Sequence, residues 1–265
     1  MTEQRLAYAR RLRGSFLVVL IAAALALVFG WAFADRLAPW HWIGYAVCHQ
    51  LPSHSYWAFG RPLPLCARCT GQYLGAVTAV GFLLWQGRAR AAKLPPRGIL
   101  LTFALMLALW AFDGLNSLLA FVGLPHLYEP TNGLRLVTGT LEGMVLGTVF
   151  WPFWADATWH QVELRPVLGN GRELGYLLAL EALLVLAIDK GGDTLRYVLG
   201  VWSTLGVVFL LSMVFSIILR LLVRQERRAT SLVQVLGFVA GGLVLAVGMI
   251  AVVDAIRFYL LPPIG

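Results

Sequence analysis

Residues 196–219 read RYVLGVWSTLGVVFLLSMVFSIIL, and no charged side chain occurs between Arg196 and Arg220. A helix needs about 20 predominantly apolar residues to cross the hydrocarbon core of a bilayer, because every backbone amide must find its partner within the segment. This stretch therefore predicts a membrane-spanning helix. Its composition is typical of the chain, in which 59% of the 265 residues are hydrophobic and 13% are charged.

Six other apolar runs of similar length predict further spans. The seven runs cover residues 15–34, 70–87, 98–119, 136–155, 174–189, 196–219 and 232–254. The sequence thus predicts an all-α, polytopic integral membrane protein with about seven transmembrane helices. We expect a four-helix core over residues 1–155 and three further helices over 156–265, forming one continuous domain. The first run is longer than the core of a signal peptide, which favours an uncleaved span over cleavage near Ala34.

The basic residues predict the orientation of these helices. Of the 21 Lys and Arg residues, fourteen fall on one predicted side of the membrane and seven on the other. The positive-inside rule then places the N-terminus in the cytoplasm and the C-terminus outside. The formal net charge of +8 is explained by this topology and by contact with membrane lipids, and indicates no nucleic-acid partner. The expected location is the cell (plasma or inner) membrane.

The loop at 35–69, between the first two spans, predicts a metal site on the extracytoplasmic side. It holds all three cysteines of the chain, Cys48, Cys66 and Cys69. A Cys-x-x-Cys turn places two sulfurs on one side of the backbone, and the Cys48–His49 pair completes a tetrahedral set for zinc, with other transition metals remaining open. Neighbouring residues reach one ion only from a bend, so the fourth ligand stays open between a histidine and water. Candidate histidines in this loop are His41, His49 and His54.

The same cysteines also allow redox chemistry. An extracytoplasmic surface is oxidising in many cells, and Arg68, inside the Cys-x-x-Cys turn, is expected to lower the thiol pKa values. Cys66 and Cys69 then form a disulfide, and Cys48 acts as a resolving thiol.

Polar side chains within the third and fourth runs predict a second constellation on the cysteine side. Asp113 and Asn116 share one helix face, and Arg135, Thr138 and Glu142 follow helical spacing along the next helix. Ionisable groups at membrane depth usually face the bundle interior or a wet cavity. One interpretation is a buried Asp113–Arg135 ion pair that locks two helices. The functional one is a polar pocket in which Arg135 binds an anion and Asp113 or Glu142 carries a proton.

Several familiar catalytic motifs do not occur in the sequence. There is no Gly-Lys-Ser/Thr phosphate loop, no dinucleotide glycine fingerprint, no Gly-x-Ser-x-Gly and no His-Glu-x-x-His. ATP-driven transport and the common hydrolases therefore lose support.

Two sequence blocks carry a resemblance to a known family. The first is CHQ at 48–50 with CARCTG at 66–71, and the second is DG at 113–114 with NGLRLVTG at 132–139. Over roughly residues 45–147 the chain resembles the prokaryotic membrane family called domain of unknown function 2085. The resemblance implies that the cysteine block and the Asp113/Arg135 block belong to one site.

These observations lead to one functional hypothesis and two alternatives. The hypothesis is a zinc-dependent membrane enzyme acting on a lipid or small amphiphile in the outer leaflet, with Cys48, His49, Cys66 and Cys69 as metal ligands. Its catalytic residues are Asp113, Arg135 and Glu142. The first alternative is a non-catalytic subunit of a larger membrane complex, or a transporter, in which zinc only clips the loop. The second is an extracytoplasmic thiol–disulfide oxidoreductase.

Overall fold

A computed structural model describes residues 39–260 of the chain. Its described part is mostly helical, with seven α-helices, one 3₁₀ turn at Pro52–His54 and four short strands. The helices are α1 (Pro39–Val47), α2 (Ala67–Trp85), α3 (Arg97–Phe121), α4 (Asn132–Thr158), α5 (Gly171–Lys190), α6 (Asp193–Leu222) and α7 (Leu232–Leu260). The strands are β1 (Trp57–Ala58), β2 (Arg61–Pro62), β3 (Ala91–Lys93) and β4 (Glu163–Pro166).

The all-helical membrane class predicted from the apolar runs is confirmed. Helices form over the six runs after the first, and the first, 15–34, lies outside the described residues. Within residues 39–260, four helices, α3, α4, α6 and α7, are long and apolar enough to cross a membrane by length and composition. The helices α2 and α5, of 19 and 20 residues, are more polar, since α2 carries Arg68 and Gln72 and α5 carries Glu181 among other charges.

The described chain forms two compact units. The first unit comprises residues 39–47, 154–162 and 207–260, and the second comprises 48–153 and 163–206. Residues of α4 and α6 contribute to both units. The predicted division into a core over 1–155 and an accessory bundle over 156–265 stays a prediction.

Glycines bring α2 and α4 into close, parallel contact within the second unit. A Cβ atom added at Gly139, Gly143 or Gly147 would overlap the backbone of α2. The backbone positions met are Arg68, Gln72 and Ala76, in that order. Gly139, Gly143 and Gly147 are spaced four residues apart, and such small-xxx-small spacing permits close packing of membrane helices. The contact brings the start of α2, which carries the cysteine turn, against the polar start of α4.

The segment from Cys48 to Cys66 is anchored along its length within the second unit. β1 and β2 form an antiparallel hairpin whose turn residues Phe59 and Gly60 adopt positive φ values of 52° and 73°. The Tyr56 hydroxyl donates to Asp189 Oδ1 at 2.7 Å, and Arg196 Nη1 donates to the Trp57 carbonyl at 3.1 Å. The hairpin is thereby tied to the connection between α5 and α6.

A second short sheet was not predicted from the sequence. β3 pairs in parallel with β4, with Ala91 opposite Glu163. Arg88 joins this sheet to α5, since its Nη1 donates to the Pro166 carbonyl of β4 at 3.0 Å and its Nη2 donates to Glu173 Oε1 of α5 at 3.0 Å.

The first unit is held by helix contacts of its own. α1 packs on α7, where Arg257 lies over the Tyr45 ring and donates to the Tyr45 carbonyl. Trp154 Nε1 donates to Ser216 Oγ at 3.0 Å, which fixes the end of α4 beside α6.

Candidate metal centre and adjoining cavity

The three cysteines converge on one point of the second unit. Cys48 follows α1, Cys66 is the N-cap residue of α2 and Cys69 lies in its first turn. Their sulfur atoms all lie within 4.8 Å of one another, and none of the three forms a disulfide among the described residues. Cys48 and Cys66 are buried, and Cys69 is half-buried.

Backbone amides fix the position of the Cys48 sulfur. The Cys66 N–H donates to Cys48 Sγ at 3.2 Å, and the Gln50 N–H donates to it at 3.5 Å. Gln50 adopts a positive φ of 52°, so the chain bends sharply after the Cys-His pair. The Gln50 side chain holds the bend by donating to the Pro64 carbonyl at 2.8 Å. A bend at this place is what neighbouring residues such as Cys48 and His49 need if both are to approach one ion.

The electrostatics of the cluster favour one thiolate shared among three sulfurs. Hydrogen bonds from Cys66 and Cys69 hold the pKa of Cys48 well below its usual value. The pKa of Cys66 is raised to about 11, mainly because its thiol hydrogen bonds to Cys48 and also because it is buried. The expectation that Arg68 lowers the pKa values across the Cys-x-x-Cys turn is therefore wrong for Cys66, since the charge that Cys66 meets is the Cys48 sulfur.

The donor set fits a thiophilic metal ion. Three thiols on one point, with backbone N–H groups directed at a sulfur, match the ligand type that zinc and related soft or borderline ions take in proteins. His49 also hydrogen-bonds the Cys48 side chain, and its Nε2 lies 3.2 Å from His54 Nδ1. A ligating histidine commonly donates its second ring N–H to an acceptor, and the His54 nitrogen is such an acceptor when His54 is neutral. The assignment of His49 as the fourth ligand stays a prediction, and His41 lies on α1 in the first unit.

The carboxylate of Asp113 is paired differently from the prediction. Its ion-pair partner is Arg68, which donates to Oδ2, rather than Arg135. Thr138 Oγ1 also donates to Oδ2 at 3.0 Å, and the Tyr128 hydroxyl donates to Oδ1 at 2.8 Å. The predicted Asp113–Arg135 pair is wrong. The close contact of α2 with α4 places Arg68 beside the Asp113 carboxylate, and hydropathy alone does not predict which helix faces meet.

Tyr128 reaches Asp113 from the loop between α3 and α4, and Asn116 holds that loop. Asn116 Nδ2 donates to the Tyr128 carbonyl at 2.8 Å, and its Oδ1 accepts from the Leu127 N–H at 2.8 Å. Burial, followed by the hydrogen bond to Asp113, raises the pKa of Tyr128 to about 12, so at neutral pH its hydroxyl stays protonated and donates the hydrogen bond to Asp113. Asp113 thus has both oxygens occupied by donors.

Arg135 has no carboxylate within ion-pairing distance in residues 39–260. The residue is 7% exposed, and its Nη1 donates to Asn132 Oδ1 at 3.0 Å. Asn132 in turn donates to the carbonyls of Ser53 and Ser55, at 3.3 and 3.2 Å. The amide therefore joins the start of α4 to the cysteine loop and presents its oxygen to the guanidinium.

A cavity of about 390 Å³ connects these groups. It is lined by His49, Leu51, His54, Cys66, Arg68, Gly114, Ser117, Leu118, Phe121 and Arg135. The cavity therefore touches the thiol cluster through Cys66 and the second constellation through Arg68 and Arg135. Burial and then the charge of Arg135 lower the pKa of His54 to about 4, which leaves this ring neutral at physiological pH.

Glu142 lies apart from the cavity lining. It is 5% exposed, and its Oε2 has no hydrogen-bond partner in the part of the chain that the structure describes. Glu181 on α5 is similarly buried, and neither of its oxygens is bonded within that part. The catalytic assignments of Asp113, Arg135 and Glu142 stay predictions, and of these three residues Arg135 lines the cavity.

Sequence reasoning missed the link between the two constellations. Arg68 is both the central residue of the cysteine turn and the partner of Asp113, and it donates to Ser117 Oγ at 3.2 Å. The signal was present, since Arg68 is spaced three and seven residues before Gly71 and Gly75 on the face that approaches α4.

This arrangement defines a helical membrane protein with a cysteine cluster beside a cationic cavity, and comparison with known proteins gives its family. The model of the family described as predicted membrane protein (DUF2085) matches residues 48–149. An uncharacterized protein of Methanothermobacter thermautotrophicus is 33% identical over 106 residues, covering 39% of this chain and 83% of the relative. One of Methanocaldococcus jannaschii is 29% identical over 139 residues, covering 50% and 83%. No solved structure matches.

The chain belongs to this family of predicted membrane proteins. The matched residues contain the three cysteines, His49, Asp113 and the whole cavity lining. The resemblance drawn from the two sequence blocks is confirmed.

Proposed function

We propose that the protein is a zinc-binding membrane protein whose ligands are Cys48, Cys66 and Cys69, with His49 as the fourth. The observation that carries this proposal is the convergence of three cysteine sulfurs within 4.8 Å. An apolar chain has no need of such a cluster for packing, and thiolates repel one another unless a cation or shared protons bind them. The zinc would hold the loop at the head of α2.

We further propose that the protein is a metal-dependent enzyme that acts on a lipid or small amphiphile at this site. Support comes from Cys66 and His49, which belong both to the candidate ligand set and to the cavity lining. Zinc in an accessible site supplies Lewis-acid polarisation or an activated water. Arg135 would orient an anionic group of the substrate, and Asp113 would keep Arg68 and Tyr128 in place. Proton transfer by Asp113 needs one of its donors to leave, whereas buried Glu142 has an oxygen free of such donors.

One observation favours a second candidate function, a non-catalytic protein with a structural zinc clip. His49 lies against Cys48, and a closed set of one histidine and three cysteines is the usual structural arrangement. In that case zinc only anchors the loop, and the chain serves as a subunit of a membrane assembly or as a transporter.

The orientation is also a proposal. We place seven spans in the cell membrane, with the N-terminus in the cytoplasm and the cysteine loop outside, because of the fourteen basic residues on the opposite side. Reporter domains fused after residues 90 and 128 test this. Activity of a cytoplasm-only reporter at 90 and of an exported-only reporter at 128 is expected, and the reverse pattern contradicts the orientation.

Metal analysis by mass spectrometry tests the zinc proposal. About one equivalent of zinc is expected in the protein purified in mild detergent, and Cys66→Ser should lose it. Ser53→Ala, an exposed change in the same loop, is the matched control and should keep it. Wild type without metal contradicts the proposal, and a Cys66–Cys69 crosslink in its intact mass would support the thiol–disulfide oxidoreductase instead.

Cobalt substitution separates the open from the closed site. In the enzyme proposal the thiolate-to-cobalt absorption bands shift when a small competing ligand such as azide is added, because it can bind from the cavity as a fifth ligand or in place of His49. In the clip proposal the spectrum is unaffected by azide in wild type and becomes sensitive only in His49→Ala.

A further inference from the structure

The cavity is lined by two cationic side chains. Its charged lining residues are the guanidinium groups of Arg68 and Arg135, and no carboxylate contributes to the lining. Arg68 is paired with Asp113. Arg135 hydrogen-bonds the neutral amide oxygen of Asn132 at 3.0 Å and forms no ion pair within residues 39–260. A buried guanidinium without an ion pair among the described residues therefore faces a space large enough for a ligand.

One side of the cavity, formed by Leu118 and Phe121 of α3, is apolar. Leu118 and Phe121 line the cavity and are nevertheless 56% and 64% exposed. α3 is the least buried of the four candidate spans, with 22% of the residues in its most apolar 18-residue segment buried inside the protein. In a membrane these side chains face hydrocarbon, so a ligand with one end at Arg135 has its other end beside acyl chains.

We propose that the cavity binds an amphiphile with an anionic oxygen headgroup, a phosphate or a carboxylate, with Arg135 as counter-ion and with Leu118 and Phe121 against the first part of its apolar chain. This names the substrate class of the activity proposed above and rests on it. A volume of about 390 Å³ lies within the range of about 300–1,000 Å³ typical of small-molecule sites. A planar guanidinium binds such oxygens through paired, charge-assisted hydrogen bonds.

The geometry also explains why one charge is available for the ligand. Asp113 accepts from Arg68, Tyr128 and Thr138, and its ion pair is with Arg68 rather than with Arg135. Asn132 is held by the carbonyls of Ser53 and Ser55 and presents an acceptor without adding negative charge. An incoming anion thus supplies what the buried guanidinium lacks.

Binding of dodecyl phosphate to the purified protein in a neutral maltoside detergent tests the proposal by calorimetry. We expect saturable binding by wild type and an affinity lower by about 10- to 100-fold in Arg135→Gln, the size of effect expected for a lost charged hydrogen bond. Arg135→Lys keeps the charge and should retain part of the affinity, which guards against a variant that fails only by misfolding. Arg61→Gln, at an exposed arginine on β2, is the matched control and should bind as wild type does.

Inorganic phosphate and dodecyltrimethylammonium complete the experiment. The ammonium should not bind, and phosphate should bind more weakly than dodecyl phosphate because it has no chain to place beside Phe121. Equal affinity for phosphate and dodecyl phosphate overturns the amphiphile in favour of a free oxyanion. Unchanged dodecyl phosphate binding in Arg135→Gln, or none by wild type, overturns the site itself.

Zinc content measured on the same samples keeps the two proposals separate. Arg135→Gln should retain zinc, since Arg135 contributes no metal ligand. Arg135-dependent binding by a protein without zinc would contradict the metal proposal and support the anion site. Zinc in a protein that binds no anion would support the metal proposal and contradict the anion site.

Discussion

Replacement of Asp113 by asparagine tests whether this carboxylate holds three elements together. Asp113 is 2% exposed and accepts from Arg68 of α2, Tyr128 of the α3–α4 loop and Thr138 of α4. Asparagine offers one acceptor oxygen, so its amide would face either the guanidinium or the tyrosine hydroxyl. Breaking a buried ion pair costs about 3–5 kcal/mol. Because the Arg68 side chain is 22% exposed, water restores part of this, and we expect a loss of about 3 kcal/mol.

Unfolding by sodium dodecyl sulfate in mixed micelles, followed by circular dichroism, measures this loss. Glu129→Gln, at an exposed carboxylate in the same loop as Tyr128, is the control and should leave the midpoint unchanged. A cycle of Asp113→Asn, Arg68→Gln and the double variant should give a coupling above about 1 kcal/mol. Additive effects, or an Asp113→Asn midpoint equal to that of wild type, would falsify the assignment of Asp113 as the junction of these elements.

Three further outcomes can be measured in the same unfolding assay. Gly143→Ala should destabilise the protein by about 1–3 kcal/mol, since its Cβ overlaps the backbone of α2, whereas Gly81→Ala, with open space around it, should not; equal effects contradict the close helix contact. Tyr56→Phe should cost about 1 kcal/mol by removing its hydrogen bond to α5, and Tyr176→Phe, at an exposed tyrosine, should cost less. A chelator should lower the midpoint of wild type but not of Cys66→Ser, and equal shifts argue against a metal at these sulfurs.

The helices were predictable because hydrocarbon imposes one simple requirement on the sequence. The run 98–119 became Arg97–Phe121, and 136–155 became Asn132–Thr158. The second of these begins earlier than hydropathy indicated, because its first turn is polar and Thr131 Oγ1 accepts from the Leu134 N–H at 3.2 Å. Polar helix ends carry capping information that an average of hydrophobicity does not contain.

The composition of the site was only partly predictable. The cysteines were found because their spacing is local, and Asp113 and Arg135 because charge within apolar runs is rare. The partner of Asp113 was not, because it depends on which faces of α2, α3 and α4 meet. The rotation of α2 and α4 about their own axes is set by the close contacts at Gly139 and Gly143. Hydropathy predicts which residues enter a membrane but not which neighbouring helix each side chain faces.

The pairing of Arg68 with Asp113 bears on the choice between a structural clip and a site that binds a ligand. A clip accounts for the sulfurs, and the ion pair accounts for the position of α2 against α3. Neither accounts for Arg135, which is buried beside a cavity with a neutral amide as its side-chain partner among the described residues. A charged group in such a place costs several kcal/mol unless water or an opposite charge reaches it. Since Asp113 already accepts from Arg68, Tyr128 and Thr138 and forms no ion pair with Arg135, we expect an anion that enters through the cavity to complete the compensation, which is the property of a binding site rather than of a clip.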